Sequence, residues 1–275
     1  PYGLIRGSRI IGNWSPAAAS YFGGGVFLNS GRMETSVIAS NLHAGGGGVF
    51  LATDSMMNNC LIFSNRAVTS GGGVYASAGG MMKHCTIADN RAYNGGGLYL
   101  DNGGEIYNSI IYGNNANFNA NLYNLKGIIE YTLSRAEYDG QGNVAGNPRF
   151  VEPGVDFRLA PGSPAINAGL PLVGIVEDIE GRRRNLDGAG SGSQAPDLGA
   201  YEADTATAGV LRVDFIANST SVGATSPVVF TSYVAGEHTN GLYYFWDFQH
   251  DTRTGPNLVV VTNAFPFAPP TNYTI

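Results

Sequence analysis

The feature that most constrains this chain is a run of glycines followed by an aliphatic–aromatic pair, repeated four times in its first hundred residues. It reads Gly23-Gly24-Gly25-Val26-Phe27, Gly46-Gly47-Gly48-Val49-Phe50, Gly71-Gly72-Gly73-Val74-Tyr75 and Gly95-Gly96-Gly97-Leu98-Tyr99. Positions 26, 49, 74 and 98 are 23, 25 and 24 residues apart. Three more columns keep step: Ile38, Ile62, Ile87 and Ile111; Asn41, Asn65, Asn90 and Asn114; and Met33, Met57, Met82 and Ile106. Four independent columns in one period define an internal repeat, the mark of an array in which each unit buries its face on the next.

Alternation inside the unit decides what the array is made of. Val26 and Leu28, Val49 and Leu51, and Leu98 and Leu100 flank Phe27, Phe50 and Tyr99 with the period of a strand. A unit of about 24 residues holds about three short strands and three turns, and it carries no helical pattern of the kind a leucine-rich repeat would. The expectation is an all-β chain, a right-handed parallel β-helix of about 5–6 coils. Its coils stack about 4.8 Å apart, with parallel pairing from each to the next and an aliphatic column inside. The glycine run marks a tight corner. The asparagine column is expected to hydrogen-bond from coil to coil at another corner. A phosphate loop would need a Lys and a following helix, and neither is present.

Composition narrows the function classes. The formal net charge of −6 and the single basic run, Arg182-Arg183-Arg184, leave no footprint for nucleic acid. No apolar stretch approaches the ~18 residues of a membrane span. Only 13% of the residues are charged. With many Gly, Asn, Ser and Thr, this fits an extracellular or cell-surface protein. The chain begins at Pro1 rather than Met, so an export signal is expected upstream.

The segments Cys60-Leu61-Ile62-Phe63-Ser64-Asn65-Arg66-Ala67 and Cys85-Thr86-Ile87-Ala88-Asp89-Asn90-Arg91-Ala92 each lead into a glycine turn. On these, residues 1–149 resemble the pectin-lyase-like right-handed β-helix proteins of bacterial surfaces. After Tyr123 the repeat decays. Asp156-Phe157-Arg158-Leu159-Ala160-Pro161-Gly162-Ser163-Pro164-Ala165-Ile166-Asn167-Ala168-Gly169 is similar to the ending of choice-of-anchor β-helix proteins, D-[FY]-x-L-x-P-G-S-P-A-I-D-A-G, with Asn167 where the pattern has Asp. Asp178-Ile179-Glu180-Gly181-Arg182-Arg183-Arg184 and Asp197-Leu198-Gly199-Ala200-Tyr201-Glu202 match the two motifs that follow it. The resemblance implies an irregular region, residues 150–203, closing the C-terminal end of the helix. A linker is expected over 204–209. Residues 210–275, with Trp246-Asp247-Phe248, resemble an immunoglobulin-like PKD module, a β-sandwich expected to be incomplete at its C-terminus.

Enzymes of this fold place acids together on one outer face, a pair roughly 6.5–9.5 Å apart in an inverting hydrolase or a Ca²⁺ set with a base in a lyase. The candidates are Glu34, Asp54, Asp89, Asp101, Glu105, Glu130, Glu137 and Asp139. Glu34, Asn58, Lys83 and Tyr107 share a column, Asp101 aligns with Asn29, Ala52 and Ser77, and no column is expected to carry two carboxylates. No catalytic residue is assigned. The aromatic column Phe27, Phe50, Tyr75 and Tyr99 faces outward and offers a carbohydrate or partner surface; self-stacking is its structural alternative. Cys60 and Cys85 fall in one inward column with Ser36 and Ser109, and parallel side chains favour two buried thiols over a disulfide. His84 has no second His near it and is assigned no metal. Asp178, Asp187 and Asp197 could hold a structural Ca²⁺ or make Asx turns; no other cofactor is expected.

The expected function is a non-catalytic extracellular or cell-surface scaffold in adhesion or assembly, with polysaccharide or other surface proteins as partners. The alternatives are a polysaccharide lyase or glycoside hydrolase, or its carbohydrate-binding part. A third is a filament subunit that self-associates through its exposed N-terminal strand edge.

Overall fold

The computed structural model describes residues 3–14, 23–136, 138–185 and 194–203, and the backbone of five strands beyond residue 211. The chain divides into two units, Pro1–Thr205 and Ala206–Ile275. All described elements are strands. The first unit is a parallel β-solenoid of about five turns, each about 24 residues from the next.

Each full coil holds four strands, one more than the repeat suggested. The first sheet stacks Leu4–Arg6, Arg32–Glu34, Met56–Asn58, Met81–Lys83, Glu105–Tyr107 and Ile128–Glu130. The second stacks Arg9–Ile11, Val37–Ala39, Leu61–Phe63, Thr86–Ala88, Ile110–Tyr112, Leu133–Ser134 and Val144–Ala145. The third holds Leu42–His43, Arg66–Ala67, Arg91–Asn94 and Asn115–Phe118; the fourth holds Val26–Leu28, Val49–Leu51, Val74–Ala76, Leu98–Leu100 and Leu122–Asn124. Pairing is parallel and in step with the sequence columns, as in Met57↔Met82, Ile62↔Ile87 and Val74↔Leu98. Four strands fit because two corners need only two residues each, such as Asn59-Cys60 and Ser64-Asn65.

These tight corners have a shared design. Between the first and second sheets, Gly7, Thr35, Asn59, His84, Asn108 and Tyr131 all take positive φ. For the five that carry a Cβ, this conformation is costly alone and is offset by repetition in the stack. The next residue points inward and donates to the carbonyl two positions back: Ser36 Oγ to Glu34 (2.7 Å), Cys60 Sγ to Asn58 (3.3 Å), Cys85 Sγ to Lys83 (3.4 Å), Ser109 Oγ to Tyr107 (2.8 Å) and Thr132 Oγ1 to Glu130 (3.1 Å). The two cysteines are free buried thiols standing in a serine column. At the next corner, Ser40, Ser64 and Asp89 take positive φ, and each is followed by a ladder asparagine. The glycine runs make the third. Gly71 has φ +67, a Cβ on Gly72 would lie 2.2 Å from the Gly96 carbonyl, and one on Gly73 would strike the Asn90 amide at 2.9 Å.

The inner core is one aliphatic cluster, with Met33, Met57, Met82, Ile38, Ile62, Ile87, Val49, Val74 and Leu98 all fully buried. Each such side chain contributes roughly 1.5–3 kcal/mol by leaving water. At the C-terminal end, Tyr138 packs against this cluster. Asn143 accepts from Thr132 N (3.0 Å) and donates to Ile129 O (2.8 Å).

Residues 150–203 begin with an antiparallel pair. Phe150–Glu152 pairs antiparallel with Asp156–Leu159. The segment then lies along the outer face of the second sheet, where Phe150, Phe157, Leu159, Ala165 and Leu198 cover Leu61, Ala88, Ile110 and Leu133 in a second cluster. The physical reason is that these outward residues are themselves apolar and need a cover.

In the second unit, Arg212–Ala217, Val229–Ala235 and Thr271–Thr274 form one antiparallel sheet, and Tyr243–Trp246 pairs with Val261–Ala264. The expected linker 204–209, Glu137, Asp187 and the hallmark positions from Asp247 to Asp251 lie outside the described residues.

Candidate functional site on the solenoid flanks

The second sheet is covered by the chain itself, so surface function falls to the other three flanks. The cover is held by a buried ionic cluster built from the motif residues. Arg184 is 1% exposed and donates to Glu202 Oε2 (3.2 Å), Asn59 Oδ1 (2.8 Å), Gly199 O (3.0 Å) and Ala200 O (3.2 Å). Asp178 Oδ1 accepts from Glu180 N and Arg182 N, both at 2.8 Å, and its Oδ2 accepts from Glu202 N at 2.9 Å. Asp197 accepts from Asn167 N (2.7 Å) and Ala203 N (2.5 Å).

These carboxylates are used as loop fasteners: Asp178 makes an Asx turn to Glu180 N, and Asp197 ties together main chain distant in sequence. Among the described residues no group of three His, Cys, Asp or Glu side chains is placed to hold a metal ion. Burial pushes Asp197 up to about 7. Burial, then Arg184, pushes His84 well below the ordinary imidazole value. His84 Nε2 meets Asn108 Nδ2 at 2.9 Å, and Asn108 also clasps Leu170 through N (2.9 Å) and O (2.6 Å). The positive-φ corner residues Asn59, His84 and Asn108 are therefore the side on which the C-terminal segment docks.

On the fourth sheet, Phe27, Phe50, Tyr75 and Tyr99 form one column, which Tyr123 extends. Successive ring centroids are 5.5, 5.1, 5.0 and 4.5 Å apart, and the last three pairs are stacked. Ring faces point along the solenoid axis and lie against one another, so Phe50 and Tyr75 are only 5% and 8% exposed. What this column offers outward is ring edges, together with the exposed Phe27 at one end. Tyr75 Oη donates to Asp101 Oδ2 at 3.1 Å.

The first sheet carries most of the outward charge. Its column runs Arg6, Glu34, Asn58, Lys83, Tyr107 and Glu130. Glu34 and Glu130 thus do share a column, against the expectation, but they stand four coils, or about 19 Å, apart. Glu34 is held by Arg32 at 2.9 Å. A diagonal pair was not visible in single columns: Glu105 and Glu130 flank Tyr107. Their Cα atoms lie roughly 8 Å apart, from one coil step and two residue steps. Tyr107 Oη donates to Glu105 Oε2 at 3.3 Å. Burial, followed by Glu105 and Glu130, raises the Tyr107 phenol.

On the third sheet Ala67 and Ala92 point inward and are buried, which turns Arg66 and Arg91 outward. The two arginines pair in register on adjacent coils. Beside them Val68, Tyr93 and Phe118 are 65%, 54% and 55% exposed. Tyr93 and Phe118 meet edge-on at 5.4 Å and 70°. Sequence columns missed this strip because Leu42 and Asn115 stand at the flanking arginine positions. Set against known proteins, the chain matches no family model, no curated protein and no solved structure.

Proposed function

We propose that the chain is a non-catalytic extracellular or cell-surface scaffold, a pectin-lyase-like right-handed β-helix of the choice-of-anchor type followed by a PKD-like module. The observation that carries this reading is the use of its ionisable groups. The buried cluster of Asp178, Arg184, Asp197 and Glu202 is spent on contacts with one another and with main chain that hold residues 150–203 in place. The open flanks present aromatic and arginine side chains in coil-spaced rows, suited to holding a partner. A second reading, a polysaccharide hydrolase or lyase, is favoured by one feature, the Glu105–Tyr107–Glu130 arrangement.

The two are separated by incubating the full chain with acidic and neutral polysaccharides and following new reducing ends and unsaturated products. The scaffold reading expects no turnover. Turnover abolished by Glu105→Gln or Glu130→Gln, with the fold retained by circular dichroism, would establish the second reading instead.

A further inference from the structure

We propose that the third-sheet flank is a binding site for a linear anionic polysaccharide, its acid groups bridging Arg66 and Arg91 and a sugar ring lying on Tyr93. The inference deepens the scaffold reading and rests on it. Arg66 and Arg91 face each other across one coil step, about 4.8 Å in backbone spacing. Like charges directly opposite on neighbouring strands repel. Neither guanidinium has an ion-pair partner among the described residues, whereas Arg32, Arg158 and Arg182 each have a carboxylate. Asp89, two residues before Arg91, makes no ion pair with it, and burial raises its carboxyl with no cation drawing it down. The pair is therefore an unbalanced positive site on a chain whose net charge is −6. An anion placed between the forks gains charge-assisted hydrogen bonds and removes the repulsion.

The neighbouring side chains select the class of anion. Val68, Tyr93 and Phe118 sit on the same outward face, each more than half exposed. Tyr93 is 54% exposed and meets one neighbouring ring at 70°, so much of its ring stays open, in contrast to the self-stacked fourth-sheet column. An open aromatic ring beside two guanidiniums fits a chain of sugar rings bearing acids. An acidic polypeptide would use the charges and have no need of the ring. Both carboxylate and sulfate satisfy a guanidinium fork, so the site is defined by anionic sugar chemistry.

The test is binding of the full chain to immobilised alginate, dextran sulfate, neutral dextran and poly-glutamate at low and high salt. The expected result is binding to alginate or dextran sulfate, or both, with little to dextran. The comparison of alginate with dextran sulfate tells carboxylate from sulfate. Arg66→Gln with Arg91→Gln should weaken binding at least about tenfold and flatten its salt dependence. Tyr93→Ala should weaken binding to the glycan and leave any poly-glutamate binding unchanged. Lys83→Gln, on another flank, serves as the charge control and should have no effect. The proposal is overturned if no anionic glycan binds at low salt, if the double variant binds as the parent does, or if poly-glutamate binds as well as the glycan with Tyr93→Ala silent. Failure here without polysaccharide turnover leaves the scaffold reading standing; turnover that depends on Glu105 or Glu130 removes that reading itself.

Discussion

At the scale of single residues, the asparagine ladder shows how one side chain can serve two coils. Asn90 Oδ1 accepts from Asn65 N (2.9 Å) and Asn65 Nδ2 (3.0 Å), while Asn90 Nδ2 donates to Ile62 O (3.0 Å), Ala88 O (2.9 Å) and Asn114 Oδ1 (3.0 Å). Asn41 and Asn65 repeat the contact, and after Asn114 the acceptor is Asn121 of the same coil. Asn41, Asn65, Asn90 and Asn114 are all buried, so removing one amide strands partners on both neighbouring coils. Asn90→Ala is expected to cost about 3–5 kcal/mol, several unsatisfied groups at about 1–3 kcal/mol each. Urea unfolding checks it; a loss within about 0.5 kcal/mol of the parent would show that water replaces the amide. A chemically similar Asp would not rescue, since it lacks the donors to Ile62 and Ala88. The inward cysteines join coils more weakly, each thiol reaching a carbonyl of the preceding coil at 3.7 Å, Cys60 to Met33 and Cys85 to Met57.

At the scale of elements, the flank-covering segment is fastened by groups that titrate. Asp197, raised to about 7, holds its proton in the folded state over a range in which the unfolded chain, with an ordinary carboxyl near 4, has lost it. Unfolding then releases a proton, so this group's contribution falls as pH rises from about 4 to about 7, by about 1.4 kcal/mol per pH unit at most. His84 has the opposite sign. Its folded value is lowered, so unfolding takes up a proton below about 6.5 and acid destabilises through it. The charged and polar groups around them are Arg184, Asp178, Glu202, Lys83, Asn59 and Asn108. Asp197→Asn should remove the falling limb, so its stability relative to the parent climbs between pH 4 and 7. Urea midpoints at several pH values measure this, and a constant offset across the range would refute the assignment.

The repeat columns were legible in the sequence because stacking sets like on like, and four columns recur with one spacing. The third-sheet strands were not, since two-residue strands such as Arg66–Ala67 are too short to alternate. The motif Asp178, Arg184, Asp197 and Glu202 could be seen but not placed, because Arg184 meets a partner 125 residues away at Asn59. The Glu105–Glu130 diagonal needed the sixth coil, where the repeat has already decayed.

At the scale of the molecule, the solenoid unit has two apolar clusters with different dependence on the chain's C-terminal part. The inner cluster draws its members from Val26 to Ile129, with Tyr138 packed against it, so nothing beyond that point is needed to form it. The outer cluster joins Leu61, Ala88, Ile110 and Leu133 to Phe150, Phe157, Leu159, Ala165, Leu198 and Ala203. A chain ending at Asn143 should therefore keep its parallel coils and lose its cover. It would bare an apolar row across four coils, along with the corner polar groups of Asn59 and Asn108 that face Glu177, Arg184 and Leu170. A continuous patch of that kind drives association. The truncated chain is expected to retain β-type circular dichroism, bind an apolar dye strongly and run as aggregates in light scattering, where the full chain does not. Leu133→Lys and Ile110→Lys in the truncated chain should restore monomers, because the inner core does not use those faces. A truncated chain that is monomeric and dye-silent without them would mean that residues 150–203 are an ornament on the solenoid rather than a cover that its second sheet needs.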